Sequence, residues 1–105
     1  MSVKIVALIK AKSELSRDEF LKYWNVDHPR YVWRLPALER YVQNPAIEHR
    51  LDWAFDGMAE LWFPSVAAVA HAFSTPEADA VREHEEEFIE EITWVLASEC
   101  EIAPA

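Results

Sequence analysis

Of the residues in this chain that can move a proton near neutral pH, His28 has the setting that most suggests chemistry. It closes the run Tyr23-Trp24-Asn25-Val26-Asp27-His28 and is followed by Pro29. Imidazole, with an unperturbed pKa of about 6.5, needs little help to act as a general base. At about 100° per residue along a helix, Phe20, Leu21, Trp24, His28, Tyr31 and Leu35 fall within one third of the circumference, the width of a buried stripe. A histidine among core side chains is either a packed imidazole bonded to a backbone group or a base held in an apolar site. Pro29 has no N–H to offer the carbonyl of Asn25, and its ring crowds that carbonyl. The helix is therefore expected to kink or loosen at His28 and to open space beside the ring.

Tyr23 and Trp24, beside His28, are candidate ligand contacts, and so are Glu60 and Trp62 further along. Of the tryptophans Trp24, Trp33, Trp53, Trp62 and Trp94, the favoured pocket-lining pair is Trp24 and Trp62, although indoles serve equally as core or interface contacts. Glu60 alternates with Met58 and Trp62 in an otherwise apolar stretch. A carboxylate buried there has a raised pKa unless it is paired, and an ion pair or an interface contact is the simpler expectation. His49 and Asp52, in a polar loop, could gate access to a cavity. His71 and His84 lie near Glu83, Glu85, Glu86 and Glu87, but no pair of ligands at helical spacing has an identifiable third partner. That run reads as a solvated helix face, and no metal site is expected. A Gly-rich phosphate loop, a serine-nucleophile motif and a Cys-His pairing are all missing.

The elements that must position these residues can be read from periodicity and caps. Val3 to Lys10 is a strand with an apolar centre, Ile5-Val6-Ala7-Leu8-Ile9, so both of its faces should be covered. Ser16-Arg17-Asp18-Glu19 matches a capping box and starts a helix expected to reach about Leu35, where Pro36 stops it. Leu38 to Ala46 reads as a second strand. Gly57 to Phe63 reads as a third, with Met58, Glu60 and Trp62 on one side and Ala59, Leu61 and Phe63 on the other. Pro45 to Asp56 is the polar loop between them. Ser65 caps a helix carrying Val66, Val69, Ala70 and Phe73. After Thr75-Pro76 a second helical piece is expected from Glu77 to about Glu91, with Ala80, Val81, His84, Phe88 and Ile92 at helical spacing. Trp94 to Ile102 alternates as a last strand.

This β-α-β-β-α-β order predicts an α+β, ferredoxin-like sandwich with a four-stranded antiparallel sheet and helices on one face. The strands are apolar on the other face too, which predicts a homodimer formed by two sheets packing together. At 105 residues with one glycine, the chain reads as a single continuous domain. Ten basic against nineteen acidic residues give a formal charge of −9, which disfavours nucleic acid and anionic membrane surfaces as partners. The single cysteine, Cys100, cannot form an intrachain disulfide, and the apolar run after Met1-Ser2-Val3-Lys4 is too short for a leader or a membrane span. A cytoplasmic setting is the expectation.

Four blocks, taken together, resemble the EthD-domain family of the dimeric α+β barrel superfamily over nearly the full length. They are Lys4 to Lys10; Leu15 to Trp24 with His28-Pro29; Leu35-Pro36-Ala37-Leu38-Glu39-Arg40-Tyr41-Val42-Gln43-Asn44; and Asp56 to Phe63. The resemblance implies the dimeric ferredoxin-like fold. It leaves the reaction open among isomerases, cyclases, dehydratases, decarboxylases, cofactor-free monooxygenases and haem-degrading enzymes. Muconolactone-type methylisomerases of that superfamily are similar in carrying a histidine at the end of the first helix and a tyrosine in the second strand, which map onto His28 and Tyr41. They also use a cysteine beyond the third strand, where this chain reads Phe63-Pro64-Ser65-Val66-Ala67, so their lactone chemistry is not expected here.

A cofactor-free enolisation or ring closure needs a base near neutrality and a donor for the developing enolate oxygen. His28 fits the first role, Tyr41 the second, and Asn44 that of an orienting group. The expectation is a pocket between sheet and helices that takes a small hydrophobic, oxygenated, aromatic or polyketide-like molecule. Acid-base isomerisation, cyclisation or dehydration would proceed there without a cofactor. The alternatives are an oxidoreductase, either a cofactor-free monooxygenase or a haem-handling enzyme, and a non-catalytic ligand-binding accessory protein.

Overall fold

The computed structural model describes residues 2–105. Strand β1, Val3–Ala11, pairs antiparallel with both β3, Gly57–Phe63, and β4, Ile89–Ala97, while β2, Arg40–Pro45, pairs with the outer side of β3. The sheet order is thus β2-β3-β1-β4. Cross-strand partners share a face. The registers Ile5↔Leu61, Ala7↔Ala59, Tyr41↔Leu61 and Gln43↔Ala59 therefore define one face, on which Ile5, Ala7, Ala59 and Leu61 are buried under the helices. Lys4↔Trp62, Val42↔Glu60 and Asn44↔Met58 define the other, on which Val6, Leu8, Met58 and Trp62 are partly exposed and which, among the described residues, no helix covers.

The first helix begins where the capping box places it. Ser16 Oγ accepts from the Glu19 N–H at 3.1 Å, and Glu19 Oε1 accepts from the Ser16 N–H at 2.8 Å. It does not continue as one α-helix to Leu35. Helix α1, Arg17–Leu21, passes into a π-helical turn, Lys22–Asp27, and after His28 comes the short α2, Pro29–Val32. The loosening expected at His28 takes this form.

Helix α3, Val66–Ala72, is capped by Ser65, and α4, Pro76–Glu85, by Thr75. Helix α4 ends about six residues before the expected boundary, and β4 starts five residues before Trp94. The β-branched residues Ile89, Ile92, Thr93 and Val95 favour the strand, and pairing of Ile89 with Ala11 lets β4 run along the whole of β1. Between them the fully buried Phe88 anchors the crossover, its carbonyl accepting from the Lys12 N–H at 3.1 Å. Among the described residues no helix is long and apolar enough to cross a membrane.

Candidate active site

The π-helical turn follows from Pro29. In an α-helix the Trp24 carbonyl would accept from the His28 N–H, but that N–H goes to Tyr23 O at 2.9 Å, a span of five residues. The next candidate donor is residue 29, and proline has none. The orphaned Trp24 carbonyl is satisfied from the sheet instead, where Gln43 Nε2 donates to it at 2.7 Å. The same Nε2 donates to Tyr41 Oη at 2.6 Å, and Gln43 Oε1 accepts from Asn25 Nδ2. One glutamine thus ties the helix break to the tyrosine. The direction of these bonds matters chemically, because Tyr41 Oη acts as acceptor toward Gln43 and keeps its own O–H proton free for a ligand. Burial pushes the Tyr41 hydroxyl up to about 12; the Gln43 bond opposes the shift and the charge of Glu85 adds to it. Tyr41 is therefore a donor at neutral pH.

His28 is 3% exposed. Its Nδ1 lies 2.8 Å from Nδ1 of His84, a residue of α4, and its Nε2 lies 3.6 Å from Glu85 Oε2. The two imidazoles are nearly parallel, with 18° between their planes and 5.0 Å between their centroids, and Phe88 meets the His28 ring edge-on at 5.2 Å. Tyr31 stacks on His84 at 4.6 Å. Desolvation, followed by the neighbouring His28, holds His84 below the ordinary imidazole range.

His28 and Tyr41 both line one cavity of about 530 Å³ between the helices and the sheet. Its walls are largely apolar, built from side chains such as Ile5, Ala7, Leu61, Val69 and Leu96, and the polar side chains His28, Tyr41, Arg82 and Glu85 are the exceptions. Val66, Ile92 and Trp94 line it and are themselves exposed, Trp94 at 60%, so the cavity opens between α3 and β4. Trp24 forms part of the wall, fully buried, and its Nε1–H has no hydrogen-bond partner. The ring is seated by Gly57: a Cβ there would lie 2.5 Å from Trp24 Cη2 and Cζ3.

The other sequence candidates are not gathered here. Asn44, Glu60 and Trp62 lie on the opposite face of the sheet, because Asn44 is three residues from Tyr41 and strand side chains alternate. Asn44 Nδ2 donates to Glu60 Oε1 and to the Met58 carbonyl, both at 3.1 Å. Glu60 is ion-paired with Lys4 at 2.8 Å, which holds its carboxyl below the usual range despite partial desolvation. Trp62 carries the Lys4 ammonium 5.1 Å and the Arg40 guanidinium 4.4 Å from its ring. Tyr23 stacks on Phe88 at 5.8 Å and does not line the cavity. His49 and Asp52 lie in the exposed 46–56 loop around a separate surface hollow, and His71 is exposed on α3. No group of three His, Cys, Asp or Glu side chains among the described residues is arranged to hold a metal ion.

Three residues beside the cavity, Gln43, His84 and Glu85, are not among the catalytic or binding candidates of the sequence, which considers the last two only as metal ligands. His84 was visible on an apolar stripe with Val81 and Phe88, the same signal that singled out His28.

The EthD domain family matches residues 12–92. Among solved structures, an ethyl tert-butyl ether d (EthD) family protein from Bacillus halodurans superposes with a TM-score of 0.82 at 19% identity, covering 95% of this chain and 100% of that one. A hydroxynitrile lyase from Passiflora edulis gives 0.76 at 20% identity, covering 98% and 97%. SnoaB, a cofactor-independent oxygenase from Streptomyces nogalater, gives 0.70 at 13% identity, covering 99% and 98%. Other matching ferredoxin-like proteins are described as dimeric. None of the curated proteins matches the chain by sequence.

Proposed function

The chain belongs to the EthD domain family, and we propose that it is a cofactor-independent acid-base enzyme acting on a small, hydrophobic, oxygenated molecule held in the 530 Å³ cavity. One observation carries the reading. A buried imidazole and a tyrosine hydroxyl whose proton is left free by Gln43 face the same apolar space. His28 Nε2 removes a proton from carbon next to a carbonyl, and Tyr41 Oη–H donates to the oxygen on which the negative charge collects. The apolar walls strengthen both interactions by excluding water. The proton held on His28 then returns to a different carbon in an isomerisation, or leaves with a hydroxyl group as water in a dehydration. Atoms and charge balance within substrate and enzyme.

The hydroxynitrile lyase is a neighbour whose name denotes a lyase, and it supports the proton-transfer reading. The oxygenase points to a second fate for the same carbanion, which is trapping by O2 with the substrate as electron source. Measuring hydrogen-deuterium exchange at C2 of 1-tetralone by NMR tests the shared first step without knowledge of the natural substrate. The wild-type protein should exchange that proton faster than buffer. His28→Ala should abolish the excess, and Tyr41→Phe should lower it about a hundredfold, the usual loss for one oxyanion donor. No exchange above buffer, together with retained binding, would favour the accessory-protein reading. Oxygen uptake in the same samples would favour the oxygenase.

The uncovered sheet face serves self-association. Val6, Leu8, Met58 and Trp62 leave partly exposed apolar surface on it, and the dimeric neighbours share the fold. Light scattering on the purified protein should give twice the chain mass, and a monomer would remove this part of the reading.

A further inference from the structure

His84 is a buried imidazole for which the proton transfer described above has no use. It is 6% exposed on α4, stacked under Tyr31, and its Nδ1 lies 2.8 Å from His28 Nδ1. Two imidazole nitrogens this close cannot both carry a proton, and two bare lone pairs would repel, so one hydrogen lies between them. Which ring owns it decides what His28 can do. If His84 donated, neutral His28 would carry its proton on Nε2 and could not take another there. If His28 donates, its Nε2 is the bare, basic nitrogen.

Among the described residues neither Nε2 makes a hydrogen bond, the nearest ionic group to His28 Nε2 being Glu85 Oε2 at 3.6 Å. His28 is a wall of the cavity proposed above to take the substrate.

We propose that His84 is a positioning residue: it accepts the His28 Nδ1–H, fixes the tautomer that presents a bare Nε2 to the cavity, and stays neutral while His28 carries the abstracted proton. Glu85 completes the arrangement. Its Oε2, 3.6 Å from Nε2, is too far to hold a proton on neutral His28 but close enough to attract the imidazolium once it forms. The charged and titratable groups that act on the pair come from every neighbouring element. Glu85, Glu87 and Arg82 belong to α4 or directly follow it, Asp27 and Arg30 flank His28, and Tyr41 faces the pair across the cavity. Asp27 and Glu87 favour charge on His84, but desolvation and the adjacent His28 outweigh them and hold His84 below the ordinary imidazole range.

The inference rests on His28 being the base, yet it can be tested without turnover. Long-range 1H–15N spectra of histidine-labelled, ligand-free protein should show His28 bearing its proton on Nδ1 and His84 bearing its proton on Nε2. The reverse assignment in the wild type would overturn the proposal. His84→Leu should release the His28 tautomer, so that its proton is found on both ring nitrogens in the same spectra. It should also shift the pH profile of 1-tetralone exchange, and His84→Gln, which restores an acceptor, should recover part of the shift. Should His84→Leu fail to fold, the wild-type tautomer alone decides. Failure of the two readings is distinguishable. The expected tautomer without any exchange removes His28 as a base, whereas exchange that depends on His28 but is indifferent to His84 removes the positioning role.

Discussion

Replacing Gly57 by alanine should unseat Trp24. Gly57 has no positive φ, so this glycine is required for space rather than for backbone freedom. The added Cβ would lie 2.5 Å from two carbons of the Trp24 ring, 0.9 Å inside the 3.4 Å at which ordinary contact begins, and 3.1 Å from the Asn44 carbonyl oxygen. Trp24 is fully buried and stacked on Phe20 at 5.4 Å, so it has no free side to retreat to. Overpacking of this kind costs about 1–3 kcal/mol, and two ring atoms in conflict put Gly57→Ala at the upper end, about 3 kcal/mol. Alanine recovers about 0.5–1 kcal/mol of backbone entropy in a strand, which leaves a net loss of about 2 kcal/mol. At about 4–8 °C per kcal/mol for a domain near this size, Tm should fall by about 8–16 °C. Thermal and urea unfolding of Gly57→Ala, Trp24→Leu and the double variant would measure it. The double variant should be less destabilised than the sum of the singles, because the smaller side chain removes the clash. A Gly57→Ala protein within about 0.5 kcal/mol of wild type, or strict additivity, would refute the reasoning.

Gln43→Leu should be destabilised by about 2–3 kcal/mol in urea unfolding, because it leaves the Trp24 carbonyl without its donor and frees Tyr41 Oη. Stability should also depend on Glu60 in acid. Its folded-state pKa is depressed, so the Lys4 pair contributes stability above the unfolded value near 4.5 and loses it as pH falls through the folded value. Glu60→Gln should therefore flatten the stability-pH curve below about pH 4.5 and leave its shape above unchanged.

The fold was legible because each element carries its own chemical marks. Ser16 and Glu19 begin the first helix, the bounds of the third strand are those expected, and the strand-helix order admits few other arrangements. The α4 and β4 boundary was not legible, since Phe88 and Ile92 continue a helical spacing while Ile89 and Thr93 favour a strand, and only pairing with β1 decides between them. The site was half legible. His28 and Tyr41, singled out by the apolar stripe, the helix-breaking proline and the family resemblance, line the same cavity. Asn44, Glu60 and Trp62 were misplaced although strand alternation already sets Asn44 and Tyr41 on opposite faces. Gln43 gave no signal of its own, because its role depends on a carbonyl orphaned by Pro29 nineteen residues away in sequence from the glutamine. His84 shares an apolar stripe with Val81 and Phe88, but it and Glu85 sit in an acidic run that, read alone, is an ordinary solvated surface.

Chemical rescue of His28→Ala addresses the central claim most directly. Hydrogen-deuterium exchange of 1-tetralone by this variant should fall to the buffer rate. Added imidazole, entering the space the ring vacates, should restore part of it, while Tyr41→Phe should show no such rescue. Exchange that survives in His28→Ala at the wild-type rate would show that the base is not His28 and would contradict the account.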